Sequence, residues 1–288
     1  MILLVLLLAS ASFGLSSSSS GSNTPASTTT ISASPTDPSS NGNNHKLVLV
    51  TGGSRGIGKA TCWLLASKGY QVALNYHTNR DEAESICQSI QQQYPTAKIA
   101  IFGADVSDEA QVVSMFEQVC NHFQMAPTGL VNNAAVMEPM EKDLAKISTE
   151  LLLRDLQVNT CGPFICTKEF VKRASTKNGG TGGSIVCVSS ISAESAQILA
   201  YGMSKAALEA MVIGLSKTLP LEGIRINAVQ PGLVDTGLAS PEIMKTMSGF
   251  IPLRRPGNPD EIAKAIEYLL SDDSSYCSGT KLRVSGGL

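Results

Sequence analysis

The chain has little of what marks a protein that meets a polyelectrolyte. Charged residues make up 16% of its 288 positions and nearly cancel, to a net charge of −2. Composition therefore supplies no basic surface for nucleic acid or for an anionic membrane, and the expected partner is a small molecule. No long apolar run is present either. Residues 1–15 (MILLVLLLASASFGL) are shorter than the roughly 20 residues a spanning helix needs, so no stable membrane span is expected. The seven cysteines (62, 87, 120, 161, 166, 187 and 277) are odd in number, scattered and without metal-ligand spacing. They read as reduced core residues, with neither a disulfide framework nor a bound metal.

The front of the chain lacks the makings of a core. Residues 16–44 are rich in Ser, Thr, Asn, Pro and Gly and carry Asp37 as their one charge, too polar to offset the entropy of ordering. Residues 1–45 thus read as an apolar start plus a disordered leader. The apolar run has the length of a signal-peptide core, and Ala9-Ser10-Ala11 is a small-residue cleavage pattern, but the basic flank is missing. A Ser-rich, acid-poor leader after such a start resembles a bipartite plastid address, and a mis-assigned start codon is the plain alternative. Secretion competes, but there is no Asn-x-Ser/Thr acceptor and the cysteines suit a reducing compartment. A cytoplasmic or plastid location is the expectation, with a secretory route left open.

From Lys46 onward the pattern changes. Leu47–Val50 is an aliphatic run of the kind a buried parallel strand requires, and it runs into Thr51-Gly-Gly-Ser-Arg-Gly-Ile-Gly58, after which 59–68 shows helical spacing. Further strands are expected at 70–76, 98–102, 129–131, 183–189, 225–229 and 281–284. Helices are expected at 79–93, 107–123 with Ser107 as N-cap, 148–174, 200–219 and 259–270. Strands alternating with helices at this rhythm predict residues 46–288 as one α/β domain: a doubly wound, Rossmann-like parallel sheet of seven strands with helices on both faces.

Two constellations carry chemistry. The glycine turn between strand and helix aims free N–H groups and the positive helix end at a pyrophosphate, while the missing Cβ atoms permit close approach. Tyr201 and Lys205, four apart, stack on one helix face and set a proton donor beside a charge. Either pattern alone is short enough to arise by chance; a glycine turn that binds nothing and a helix-start tyrosine with a solvated lysine are the plain alternatives.

The conjunction is specific. Thr51-Gly-x-x-x-Gly-x-Gly58, Asn132-Asn-Ala-Ala135, Asn159, Ser189-Ser190, Tyr201-x-x-x-Lys205 and Pro231-Gly232 stand in an order and spacing that resembles the short-chain dehydrogenase/reductase family over residues 46–288. The resemblance implies an oxidoreductase interconverting a secondary alcohol and a carbonyl. Tyr201 would be the general acid/base, Lys205 would lower its pKa and hold the nicotinamide ribose, Ser190 would bond the reacting oxygen, and Asn159 would hold a relay water. Gly52, Ser54, Arg55, Gly56, Ile57, Gly58, Asp105, Val106, Asn132, Tyr201, Lys205, Pro231, Gly232 and Thr236 would line the cofactor. The region Leu74-Asn75-Tyr76-His77 has no acid to grip an adenine ribose diol, and Arg55 resembles the basic position of NADP-preferring members; NADP(H) is favoured and NAD(H) stays open.

Two departures stand out. Ser190 and Tyr201 are eleven residues apart, a shorter loop than the family's, with Ser189 in reserve and Ser192 behind it. Ala135 stands where the family has glycine. Met244, Met247, Phe250 and Ile251 form an adaptable apolar set able to close over substrate or to pack as core. A sugar or polyol, a small ketone and a 3-oxoacyl group all remain open, as does a catalytically silent sensor or scaffold. The helices at 148–174 and 200–219 resemble those through which the family forms homo-tetramers or homo-dimers.

Overall fold

A computed structural model describes residues 43–137, 144–196, 198–236, 244, 246 and 248–288. All belong to one unit that runs from Asp37 to Leu288. The leader up to residue 42 and Met247 lie outside the described residues. Asn43 and Asn44, at the expected end of the leader, are already tied to the domain: Asn43 Nδ2 donates to Lys68 O (3.2 Å) and Gln71 Nε2 donates to Asn44 O (2.8 Å).

The strands are β1 (Leu47–Val50), β2 (Gln71–Tyr76), β3 (Ile99–Gly103), β4 (Gly129–Asn132), β5 (Gly183–Val188), β6 (Ile224–Pro231) and β7 (Lys281–Val284). The helices are α1 (Gly56–Ser67), α2 (Arg80–Gln93), α3 (Glu109–Phe123), α4 (Thr149–Leu156), α5 (Gly162–Ala174), the single turn α6 (Ser192–Ser195), α7 (Leu199–Leu215) and α8 (Pro259–Leu270). The sheet is parallel throughout, in the order β3-β2-β1-β4-β5-β6-β7. Strand order reverses between β1 and β4, and the crevice beyond their carboxyl ends is where such sheets hold ligands.

Strand parity builds two cores. Leu47 and Leu49 point to one face, where Phe116, Phe170, Leu208 and Val212 of α3, α5 and α7 cover them. Val48 and Val50 point to the other, under Leu65, Ile86, Ile90, Ile262 and Ile266 of α1, α2 and α8. With both faces covered, β1 is buried at every residue, which accounts for its unbroken aliphatic run.

Several boundaries differ from the sequence expectation. The helix expected over 148–174 is interrupted by a π-helical stretch, Gln157–Cys161, between α4 and α5. The N-cap of α3 is Asp108, whose side chain accepts from Gln111 N; Ser107 instead donates its hydroxyl to Asp105 Oδ1 (2.7 Å). The helix expected to Leu219 ends at Leu215, and β6 continues through Pro231, which pairs with Val284. All seven cysteines are free, but only Cys62, Cys166 and Cys187 are fully buried; Cys161, on the π-helical stretch, is exposed. Among the described residues no helix is long and apolar enough to cross a membrane, and no group of three or more His, Cys, Asp or Glu side chains is arranged to hold a metal.

Asn75 joins the sheet to the glycine turn. Its Oδ1 accepts from Gly52 N (3.2 Å), its Nδ2 lies within 3.2 Å of Phe102 O, Ala104 O and Tyr76 O, and its own carbonyl accepts from Gly53 N. It is 1% exposed, so truncation strands buried polar groups away from water. Asn75→Ala is expected to lower stability by about 2–4 kcal/mol in urea denaturation, with an unchanged m-value.

Candidate active site

The glycine turn leaves β1 and opens α1. Gly52 and Gly56 sit at φ 61° and 52°, in the left-handed region that favours glycine. A Cβ on Gly58 would lie 2.2 Å from Gly52 O and 2.6 Å from Asn133 Nδ2, so the first turn of α1 rests directly on the loop below it. Asn133 holds that loop from the far side: its Nδ2 donates to Thr51 O (2.9 Å) and Gly52 O (3.0 Å), while Thr51 Oγ1 accepts from Asn133 N and Ala134 N. Sequence reasoning named Asn132 instead. The Asn132 side chain faces the core, donating to Thr167 Oγ1 (3.2 Å) and Cys187 Sγ (3.6 Å). Asn133 and Asn75 carry the loop, and only their tertiary contacts reveal it.

Around this loop stand the groups expected to meet an adenine nucleotide. Arg55 is the N-cap of α1 and is exposed, with Ser54 and Ile57 half-buried beside it. At the ends of β2 and β3, His77 Nε2 lies 3.5 Å from Asp105 Oδ2; Asp105 Oδ1 is held by Ser107 N and Oγ. Val106 is buried against Gly162, whose Cβ would meet Val106 Cγ2 at 2.9 Å. Across the crevice, a Cβ on Gly56 would come within 3.1 Å of Thr236 Cγ2, so the segment after Pro231-Gly232 lies over the glycine turn. The free amide end of α1, the bare backbone and the flanking basic side chains fit a dinucleotide pyrophosphate and ribose. Ala135, in place of the expected glycine, is exposed at the exit of β4.

The reacting end is assembled from β5, α4, the π-helical stretch and α7. Ser190 follows β5, and its side chain is near enough to the Tyr201 phenol to favour its ionised form. Ser189 points the opposite way, and its hydroxyl is engaged in donating to Glu209 Oε1 (2.6 Å). Ser192 lies in α6 and donates its backbone N–H to Ser190 Oγ (3.1 Å). The short Ser190–Tyr201 loop is thus wound into one helical turn. It packs so closely on α7 that a Cβ on Gly202 would meet Ser192 O at 2.7 Å and Ala196 Cα at 2.9 Å.

Lys205 is 2% exposed, donates to Val188 O (2.8 Å) and sits 5.5 Å from the centroid of the Tyr201 ring. Burial lowers its pKa from 10.5 to about 8, against the opposing fields of Cys187, Asp155 and Glu209. The sequence expectation that Lys205 pulls the Tyr201 phenol below its ordinary value is not met. Burial holds the phenol above that value, with the charge of Asp155 adding to the rise and the nearby Ser190 side chain opposing it. The Lys205 ammonium is directed onto Val188 O and over the ring rather than at the phenol oxygen.

Asn159 lies in the π-helical stretch, fully buried. Its Oδ1 accepts from Val136 N and its Nδ2 donates to Val136 O, both at 2.8 Å, and Nδ2 also reaches Ser204 Oγ (3.0 Å). Ser204 Oγ in turn donates to Tyr201 O, and Thr160 Oγ1 donates to Ser204 O. The amide of Asn159 is therefore engaged in clamping the β4 exit to α7. A pocket of about 630 Å³ is walled by Ile191, which follows Ser190 in the chain, and by Leu233, Phe250 and Ile251, with Glu194 and Arg283, an ion pair, also lining it; Ser190, Tyr201 and Lys205 are not among its walls. Of the apolar set named from sequence, Phe250 and Ile251 line this pocket, while Met244 is buried.

Comparisons with known proteins agree with the fold. A family model described as enoyl-(acyl carrier protein) reductase matches residues 52–288. The chain is 39% identical over 248 residues to the uncharacterized oxidoreductase YgfF of Escherichia coli, covering 84% of this chain and 99% of that protein. It is 33% identical over 256 residues to a chloroplastic NADPH-dependent aldehyde reductase of Arabidopsis thaliana, covering 84% and 93%. Among solved structures, a short-chain dehydrogenase/reductase from Serratia marcescens superposes with a TM-score of 0.77 at 31% identity, over 84% of this chain and 97% of that one.

Gly58→Ala forces a methyl group against Gly52 O and is expected to weaken dinucleotide binding at least tenfold. Titration calorimetry with NADPH against the wild type measures it; circular dichroism checks that the fold is kept.

Proposed function

The chain belongs to the short-chain dehydrogenase/reductase family of oxidoreductases, and from that premise we propose that it reduces a carbonyl to a secondary alcohol with NADP(H), using Tyr201 as general acid. The observation that carries this reading is the gathering of Ser190, Tyr201 and Lys205 beyond the end of β5, with the Lys205 ammonium over the Tyr201 ring and burial raising the phenol pKa.

When bound, the nicotinamide cofactor supplies the hydride. Ser190 donates a hydrogen bond to the substrate carbonyl oxygen and orients it. Tyr201 delivers its proton to that oxygen as charge builds there, and a phenol above its ordinary pKa arrives at neutral pH with the proton in place. Lys205, charged below about pH 8, stabilises the phenolate left behind and would donate to the nicotinamide ribose of a bound cofactor. Asn159 contributes through the clamp its side chain makes between Val136 and Ser204, and its carbonyl would hold the relay water. The nearness of Ser190 to Tyr201 across the short loop, with the Lys205 ammonium over the same ring, supports this reading over a catalytically silent scaffold.

Arg55 supports NADP(H): it is exposed at the start of α1, and no acid at the end of β2 repels a 2′-phosphate. The relative named an NADPH-dependent aldehyde reductase points the same way. Gly52, Ser54, Gly56, Ile57 and Gly58 would take the pyrophosphate, Asp105 and Val106 the adenine, and Pro231, Gly232 and Thr236 the nicotinamide side; Asn132, its side chain turned to the core, would meet the cofactor only through its backbone. Residues 46–288 act as the oxidoreductase domain behind a leader. The exposed apolar residues Leu153, Phe164, Met203 and Ile213 on α4, α5 and α7 support self-association into a homo-dimer or homo-tetramer.

The test is a panel of aldehydes, ketones, sugars and 3-oxoacyl thioesters assayed with NADPH and NADH. Tyr201→Phe should lower kcat by roughly 10²–10⁴-fold with NADPH affinity unchanged. Carbonyl turnover that survives in this variant overturns the mechanism. Arg55→Ala should weaken NADPH about tenfold while leaving NADH unaffected, and equal losses with both would remove the 2′-phosphate assignment.

A further inference from the structure

The short loop that carries Ser190 does not hold itself. Its one-turn helix, α6, is four residues long and ends on Ala196 at φ 48°, a left-handed conformation that is unfavourable for an alanine. A single turn makes too few hydrogen bonds to offset the ordering of its backbone, so contacts with the rest of the chain must impose its shape. That shape bears directly on Ser190, because the Ser192 N–H of this turn is the group that bonds Ser190 Oγ (3.1 Å).

The contacts come from Glu194, in the same turn. Its Oε1 accepts from Gln230 Nε2 of β6 (3.0 Å) and pairs with Lys281 Nζ of β7 (3.1 Å), and its Oε2 pairs with Arg283, two residues further along β7. Two of these donors are shared. Gln230 Nε2 also donates to Glu209 Oε1 (2.8 Å), and Lys281 Nζ lies 3.1 Å from Glu209 Oε2. Glu209 belongs to α7, one helical turn past Lys205, and accepts from Ser189 Oγ as well (2.6 Å). The loop is thus tied on both sides of Ser190, at Ser189 and at Glu194, to one cluster that joins β6, β7 and α7.

The charges of this cluster balance, with two carboxylates against one ammonium and one guanidinium. Two carboxylates that share one amide nitrogen repel each other, and the Lys281 ammonium set between them turns that repulsion into an attraction of α6 for α7. The three donors hold the Glu194 carboxyl well below the usual carboxylate range, at about 2, so it is ionised throughout the neutral range. Gln230 and Glu209 are buried, whereas Glu194 and Arg283 keep 44% of their side-chain surface and Lys281 33%. Dissolved salt therefore reaches the outer half of the cluster and screens it. An acid in a surface turn is ordinarily a solvated charge; Glu194 instead has three partners on two strands and lines the pocket together with Arg283.

We propose that Glu194 is a positioning residue: it clips α6 to β6, β7 and α7 and so holds the Ser192 N–H on Ser190 Oγ, fixing the hydroxyl that orients the substrate carbonyl. The role of Ser190 toward substrate rests on the carbonyl-reductase reading above; the clip itself does not.

Hydrogen exchange followed by mass spectrometry on the full chain reads the clip with no substrate present. In Glu194→Gln, peptides covering residues 190–196 should exchange about tenfold faster while those from β1 and β4 are unchanged, and Glu194→Asp should lie between variant and wild type. Added salt should speed the same peptides in the wild type and have little effect in Glu194→Gln. Lys281→Met leaves Glu194 and Glu209 facing each other without their shared cation and should loosen the loop further; adding Glu194→Gln to it should relieve that defect rather than add to it. With a neutral carbonyl that the wild type turns over, at saturating NADPH, Glu194→Gln should lower kcat/KM about tenfold and leave NADPH affinity unchanged. The proposal is overturned if the 190–196 peptides of Glu194→Gln exchange at the wild-type rate, or if all peptides speed up alike, as a loss of global stability alone would cause. Additive effects of the two substitutions overturn it too, as does a loosened loop with unchanged kcat/KM. Faster exchange confined to the loop, with no turnover of any carbonyl by the wild type, would uphold the clip and count against the functional reading instead.

Discussion

The structure around the pocket depends on one costly placement, a lysine ammonium held inside the protein. Lys205 is 2% exposed, and burial lowers its pKa from 10.5 to about 8. That shift corresponds to a cost on the order of 3 kcal/mol when the group is charged. Because its folded-state pKa lies below the unfolded one, the cost is fully present below about pH 8 and fades as pH rises from there toward 10.5. A fold that tolerates it must supply acceptors and negative charge nearby, and it does so with Val188 O, Asp155 and Glu209. The reward is a cation fixed within one helical turn of Tyr201, where water cannot screen it.

Fixing the cation requires fixing α7, and the means are polar contacts in an otherwise apolar interior. The π-helical stretch adds one residue to the turn and redirects Asn159, so that one amide bonds both backbone groups of Val136 and the hydroxyl of Ser204. On the other side, the one-turn helix α6 lies against Gly202, and the Ser192 N–H bonds Ser190 Oγ. Tyr201 is thus held from β4, from α4 and from β5 at once. At the dinucleotide end, Asn75 and Asn133 perform the same service for the glycine turn, each satisfying backbone groups of residues 51–53 that no strand partner reaches. Rigid turns cost no reorganisation when a charged ligand arrives, which is what a phosphate-binding loop and a proton donor both need.

Much of this was legible in the residue pattern. The aliphatic runs of β1 and β5, the glycines between β1 and α1, and the Tyr201–Lys205 spacing come from local requirements, namely burial on two faces, backbone approach and helical periodicity. The rest depends on contacts between distant segments. A π-helical turn carries the same apolar pattern as the α-helix around it, so Gln157–Cys161 is invisible as a break. Ser107 and Asp108 are both good caps, and the choice of Asp108 follows from Asp105 having engaged the serine. Asn75 registered only as the absence of an acid, and Asn133 as the neighbour of Asn132, because an asparagine's partners are not written beside it. The effect of burial on the Tyr201 phenol is hidden for the same reason: Lys205 stands one helical turn away in the sequence, whereas desolvation acts through the fold.

The central claim is that Lys205 is desolvated beside Tyr201, and its own titration tests this without any knowledge of the substrate. Carbon-13 NMR of the full chain labelled at lysine Cε follows all fourteen lysines through the pH range, and Lys205→Arg identifies the signal that belongs to position 205. The account predicts that this one signal titrates near 8, well apart from the others. A Lys205 signal that titrates with the surface lysines, at the ordinary value of 10.5, would contradict it.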